Sequence, residues 1–211
     1  MASGSRSNPL ALAVLSCLHE RPMHPYEVAQ TLRQRGKHQS IRLNYGSLYS
    51  VVDGLEKRRL VRALETVREG RRPERTIYEI TDAGTRELED RLTSLVSEPV
   101  KEYLQFEAAL SLLPGLPPDG AVDALRERCQ ALELRIALTR ATLAEMTAQN
   151  LPRLFGLEGE YTMALAEAEL EWVRRLIKDI EGGSLEGGEM WRDVYETHIE
   201  ARPPPDQAPP N

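Results

Sequence analysis

Residues 44–84 read NYGSLYSVVDGLEKRRLVRALETVREGRRPERTIYEITDAG. Within this stretch Leu48, Val51, Val52 and Leu55 recur three and four apart, the spacing of one buried helix face. Asn44 stands just before them and is a favoured N-cap, so a helix is predicted over 45–58. Tyr45, Ser47, Tyr49 and Ser50 fall largely off the apolar stripe, so the start of this helix turns hydroxyl groups outward. Residues 60–67 and 75–80 are short strand-like runs. Between them lies Arg68-Glu69-Gly70-Arg71-Arg72-Pro73-Glu74, which makes a hairpin with a basic tip.

Upstream, residues 9–18 form an apolar helix, stopped by Arg21-Pro22. His24 is placed to cap a second helix and Pro25 to fill its first position, where the missing N–H costs nothing. Tyr26, Ala29 and Leu32 are its expected buried stripe, and Gly36 its stop. Downstream, Thr81-Asp82-Ala83 starts a fourth helix to residue 97, and Tyr78 and Ile80 are expected to pack the hairpin onto the core.

Three helices followed by a hairpin is the order of a winged helix-turn-helix. The third helix fits a DNA major groove, with its N-terminal residues at the base edges. Gly46 lets the backbone come close to a phosphate, and the helix N-terminus favours that anion. The candidate DNA-contacting residues are therefore Arg42, Asn44, Tyr45, Gly46, Ser47, Tyr49 and Ser50 around this helix. Arg68, Arg71, Arg72 and Arg75 join them from the hairpin, where guanidinium groups on a thin loop suit phosphates or a narrow minor groove. Lys57, Arg58 and Arg59, at the helix C-terminus, also serve its dipole.

Charge patterning agrees. The chain has 211 residues and a net charge of −6. Residues 1–97 hold 16 Lys and Arg against 12 Asp and Glu, a net +4; residues 98–211 hold 11 against 21, a net −10. Residues 33–75 alone carry 12 basic and 5 acidic side chains. A basic region on an otherwise acidic chain suits a polyanion, which the acidic half would repel and so help orient.

The second half is helical in pattern. Helices are predicted over 100–112, 119–150 and 159–181, with a linker at Pro114-Gly115-Leu116-Pro117-Pro118 and a break at Pro152. Leu125, Leu132, Ile136, Leu143 and Met146 stripe the long helix; Leu165, Ala168, Trp172, Leu176 and Ile180 stripe the last. Such a long apolar stripe is more than one chain is expected to bury, which points to a homodimer. The fold expected is mainly α with a small β-hairpin. A winged helix-turn-helix DNA-binding domain occupies 9–97 and an all-helical dimerisation domain 98–200. A disordered 1–8 precedes them, and a disordered Pro-rich tail, 201–211, follows.

Residues 8–97 resemble the PadR family of bacterial transcriptional regulators. The matching pieces are Leu12-Ala13-Val14-Leu15, Pro22-Met23-His24-Pro25-Tyr26-Glu27, Gly46-Ser47-Leu48-Tyr49 and Leu55-Glu56-Lys57-Arg58-Arg59-Leu60-Val61. The most specific is Gly70-Arg71-Arg72-Pro73-Glu74-Arg75, followed by Tyr78-Glu79-Ile80-Thr81-Asp82-Ala83-Gly84. Many members carry Gly where Pro25 and Arg59 stand here. The second half, including Leu170-Glu171-Trp172, resembles the C-terminal dimerisation domain of the longer members. The resemblance implies a homodimer on a palindromic operator, usually repression, and release by a small ligand. A Leu- and Ala-rich helical cavity suits a small apolar or aromatic effector. The dimer contacts are expected at Leu125, Leu132, Ile136, Leu165, Trp172 and Leu176.

Other classes have little support. No stretch approaches about 18 uninterrupted apolar residues, so no membrane span is expected. The start of the chain lacks a signal peptide's pattern. Cys17 and Cys129 build neither a disulfide framework nor a metal cluster and read as buried thiols in a reducing cytoplasm. His19, His24, His38 and His198 show no metal-ligand spacing. No Gly-rich phosphate loop or nucleophile elbow is present, so neither an enzyme nor a cofactor is expected. The alternative is a winged helix that binds protein, with the acidic half as its working surface.

Overall fold

Asn8, expected in a disordered leader, instead caps the first helix, α1 (Pro9–Glu20): its Oδ1 accepts the Leu10 N–H at 3.0 Å. The computed structural model describes residues 8–37, 40–41, 43–67 and 75–200. The other residues expected to be disordered, 1–7 and 201–211, lie outside these. The chain divides into two compact units, residues 1–102 and 103–211; the sequence reading placed this boundary at 97/98.

In the first unit α1 is followed by α2 (Pro25–Gln34), α3 (Tyr45–Lys57), β1 (Val61–Val67), β2 (Arg75–Ile80) and α4 (Asp82–Ser97). α2 opens on a capping box. His24 Nδ1 accepts the Tyr26 N–H at 3.1 Å, and Glu27 returns a carboxylate oxygen to the His24 N–H at 3.0 Å. Its buried face is Pro25, Val28, Ala29 and Leu32; Tyr26, expected inside, lies outside and accepts from Gln30. The core gathers Val14, Leu15 and Leu18 of α1, Val28 and Leu32 of α2, Leu48, Val52 and Leu55 of α3, then Val61 and Leu88.

α3 ends in a Schellman turn. The Leu60 N–H reaches the Leu55 carbonyl at 2.9 Å, the Arg59 N–H reaches that of Glu56 at 2.8 Å, and Leu55 and Leu60 are both buried. The left-handed position falls on Arg59, with φ of 59°. Glycine adopts that conformation without the Cβ penalty, so arginine holds it here at a cost.

The strands pair antiparallel, Val61 opposite Ile80 and Val67 opposite Arg75, with Leu64 as the extra residue of a bulge. Tyr78 and Ile80 pack against the core as expected. An additional bridge ties the hairpin to the α1–α2 turn: Met23 and Tyr78 exchange two backbone hydrogen bonds of 3.0 Å. Thr81 caps α4 by accepting the Gly84 N–H at 3.1 Å while donating to the Arg59 carbonyl at 2.8 Å.

The second unit holds α5 (Gln105–Ser111), α6 (Pro118–Ala148), α7 (Leu157–Glu181) and α8 (Gly188–Glu200). The helix predicted over 100–112 is thus confined to α5. α6 and α7 pair through Val122, Leu125, Cys129, Leu132 and Ile136 on one side and Ala166, Leu170, Val173, Ile177 and Ile180 on the other. Both sets step by three and four, as in a coiled-coil seam. Ion pairs at seven-residue steps flank it: Arg126 with Glu181, Arg174 with Glu133 at 2.6 Å, and Arg140 with Glu167 at 2.8 Å.

This pairing corrects two expectations. Leu125, Leu132 and Ile136, expected at a dimer contact, are buried against α7 of the same chain. The stripe expected on α7 meets the seam only at its end: Ile180 is buried there, but Leu165 and Trp172 are 53 % and 41 % exposed, and Leu176 is half-buried at the core edge. α8 is an element the periodicity did not show. Its Trp191 is buried and donates its indole N–H to the Leu116 carbonyl at 2.9 Å.

Candidate nucleic-acid interface

Asn44 sets the geometry of the α3 N-terminus. Its side chain accepts the Gly46 N–H at 3.0 Å, while its carbonyl starts the helical ladder by accepting from Leu48 at 2.9 Å. Leu48, Val52 and Leu55 hold the opposite side of the helix in the core. Asn44, Gly46, Ser47, Tyr49 and Ser50 are therefore presented outward together, all exposed. The Ser50 hydroxyl donates to the Gly46 carbonyl at 3.1 Å, which leaves its oxygen able to accept. Tyr49 meets the His24 ring edge-on, with centroids 6.3 Å apart and planes at 69°.

Two glycines in this helix have open space around them among the described residues. There, a Cβ on Gly46 would meet nothing closer than Asn44 Oδ1 at 3.7 Å, and one on Gly54 would meet nothing within 4 Å. Each costs roughly 0.5–1 kcal/mol against alanine in a helix. Both border an open depression of about 680 Å³, lined also by Asn8, Ala11, Ser47, Ser50, Val51 and Arg58. Small side chains here leave the helix backbone accessible from outside.

The hairpin reaches the same unit through the Met23–Tyr78 bridge, which fixes its base. The Tyr78 phenol is pushed up by burial, with Glu56 and Asp53 adding to the effect. Tyr45 opens α3 and Arg75 opens β2, opposite Val67. Arg42, Arg68, Arg71 and Arg72 lie outside the described residues.

Several arginines of the basic stretch are committed to carboxylates. Arg35 holds Glu20 through two contacts of 2.5 and 2.7 Å, Arg58 holds Glu87 at 2.7 Å, and Arg62 holds Glu79. The Arg35 hydrogen bond holds the Glu20 carboxyl below its usual range, and Arg58 does the same for Glu87. The raw charge count thus overstates the cationic surface. The Tyr49–His24 contact and the Met23–Tyr78 bridge are the parts of the site that sequence reasoning missed. The cap at His24 was the only local signal of either.

Residues 14–90 match the model of the transcriptional regulator PadR-like family. No curated protein matches the sequence. Among solved structures, Bacillus subtilis PadR in complex with operator DNA is similar at 15 % identity and a TM-score of 0.64, over 82 % of this chain and 98 % of that one. The same protein in complex with p-coumaric acid gives 15 % and 0.67, over 82 % and 98 %. The Vibrio cholerae virulence activator AphA gives 16 % and 0.61, again over 82 % and 98 %. At these identities the likeness shows the fold: a winged helix followed by a helical second unit. Through residues 14–90, this chain carries a domain of the PadR-like family of transcriptional regulators.

Proposed function

We propose that the chain is a sequence-specific DNA-binding regulator that represses from a palindromic operator as a cytoplasmic homodimer. The observation that carries this reading is the α3 N-terminal turn, capped by Asn44 and turning Gly46, Ser47, Tyr49 and Ser50 outward beside an anchored hairpin. Helix N-terminus, hydroxyls and accessible backbone are what phosphates and base edges require. Tyr45, Arg42, Arg68, Arg71, Arg72 and Arg75 are the remaining proposed DNA contacts. A second copy would bring a second such turn to the next major groove, one helical turn away.

The dimer contact we propose is the outer face of α7. Leu157, Tyr161 and Leu165 recur every four residues and, with Trp172, stay exposed once the seam to α6 is closed. For the effector, the relative crystallised with p-coumaric acid supports a small, largely apolar or aromatic molecule that releases the DNA. AphA is named an activator, so a reporter assay decides the sign of regulation here.

The test is fluorescence anisotropy of the protein on duplexes tiling the DNA upstream of its own coding region, at several salt concentrations. Saturable binding of one dimer to one duplex, with affinity falling steeply as salt rises, is expected. Absence of specific binding there and in a genome-wide selection would leave the protein-binding reading.

A further inference from the structure

We propose that Arg58 is a further DNA contact, one that holds the sugar–phosphate backbone and not a base; this rests on the DNA-reading role proposed for α3. Arg58 is the C-cap of α3, and Ser47 stands eleven residues before it. Eleven residues make three helical turns and about 20° more, so the two share one face. Both line the open depression, with Ser50 and Gly54 between them and Asn8 and Ala11 on the α1 side. Among the described residues, Arg58 is the one charged side chain that lines it; Lys57, Arg59 and the α3 acids Asp53 and Glu56 do not.

The length of that face decides what Arg58 meets. Eleven residues rise about 16 Å along the helix axis. A major groove is only about 12 Å wide. A helix whose first turn meets base edges therefore carries Arg58 past the groove to the flanking backbone, where a cation meets phosphate. Small side chains along the intervening face let that backbone approach. Such a contact adds affinity and register and carries no sequence information.

Pairing with Glu87 does not consume this arginine. Its Nη2 donates to Glu87 Oε1 at 2.7 Å, and among the described residues its Nε and Nη1 engage no acceptor. Arg35, by contrast, places both terminal nitrogens on Glu20. Arg58 is also the outer member of its pair, with its side chain 56 % exposed against 27 % for that of Glu87. Glu87 is shared with Arg91, whose Nε lies 3.4 Å from the same oxygen. Two guanidinium groups thus divide one carboxylate, and the cluster keeps a net positive charge. A guanidinium carries five N–H donors in a rigid fork, so one edge can stay on Glu87 while another takes a phosphate oxygen.

The experiment compares wild type, Arg58→Gln and Glu87→Gln by fluorescence anisotropy. The probes are a duplex selected from random-sequence DNA by the wild-type protein and a scrambled one of equal length, each from about 50 to 200 mM salt. Both variants break the same ion pair, and only the first removes the cation. We expect Arg58→Gln to lose about fivefold in affinity on both duplexes and to lower the salt slope by about 1. We expect Glu87→Gln to bind at least as tightly as wild type, with a slope no shallower.

An Arg58→Gln slope equal to that of wild type overturns the proposal. So does an equal loss in Glu87→Gln, which would trace the effect to the broken pair. A loss confined to the selected duplex overturns it as well, since Arg58 would then read a base. If selection enriches no duplex and wild type shows no salt-dependent binding, the DNA reading of α3 fails, and this contact fails with it. If wild type binds and only the Arg58→Gln slope holds, this contact alone fails.

Discussion

Gly84→Ala sets two physical effects against each other, and the structure decides between them. Gly84 sits in the first turn of α4, where alanine is favoured by roughly 0.5–1 kcal/mol on intrinsic helix propensity. The added Cβ, however, would lie 2.1 Å from the Leu60 carbonyl oxygen and 2.7 Å from Ile80 Cγ1. A carbon–oxygen contact needs more than 3 Å, so the first turn of α4 must retreat by about 1 Å or the β1 backbone must give way. That carbonyl also accepts from the Thr81 N–H at 3.0 Å and shares the Thr81 hydroxyl proton, at 3.1 Å, with the Arg59 carbonyl at 2.8 Å, so a retreat strains both interactions. Overpacking costs about 1–3 kcal/mol and each weakened hydrogen bond about 1 kcal/mol, against less than 1 kcal/mol regained from propensity. A net loss of about 2–3 kcal/mol is expected. Urea denaturation followed by far-UV circular dichroism reads it as a lower midpoint at unchanged slope. An unchanged or raised midpoint would refute the close approach of α4 to β1.

Three further outcomes follow from single sites. Arg59→Gly relieves the left-handed strain at the end of α3 and should stabilise by about 1 kcal/mol in the same assay; a loss of stability would show that the Arg59 side chain matters more than its φ. Glu20 has its carboxyl lowered by Arg35, so its contribution is present above the unfolded carboxylate's pKa and fades as pH falls through the folded one; Glu20→Gln should therefore cost on the order of 0.5 kcal/mol at pH 7 and progressively less as acid protonates the folded carboxylate, the pair being exposed. Burial pushes the Cys17 thiol up to about 11, so iodoacetamide at pH 8 should modify it only as fast as the protein opens, by intact mass against a urea-unfolded control.

The first unit was legible in the sequence because its decisive signals are local. Asn44 and Thr81 as caps, Pro25 after His24 and the 48–52–55 stripe all act within one or two turns, and each appears where those residues place it. What escaped is non-local. The Met23–Tyr78 bridge joins residues that only the folded core brings together. Trp191 is held by a carbonyl 75 positions earlier in the chain, and α8 lies beyond Gly182 and Gly183, the glycines that end α7. α7 was misread for a different reason. Leu165, Ala168, Trp172 and Leu176 keep helical spacing, but so do Ala166, Leu170, Val173 and Ile177. Periodicity cannot say which of two apolar stripes meets α6. The structure assigns the second stripe, and the ion pairs at 126–181, 133–174 and 140–167 mark its borders.

In the candidate interface, helix and hairpin were legible because exposure is the complement of the apolar stripe. The arginine count was a poorer guide, since a sequence does not show that Arg35, Arg58 and Arg62 are paired with Glu20, Glu87 and Glu79.

The claim that the first turn of α3 reads DNA is tested most directly by the double variant Ser47→Ala, Tyr49→Ala on a duplex selected from random-sequence DNA by the wild-type protein and on a scrambled one of equal length. The account predicts that affinity for the selected duplex falls at least about tenfold, while affinity for the scrambled duplex and the salt slope on it hold. An unchanged preference for the selected sequence would contradict it.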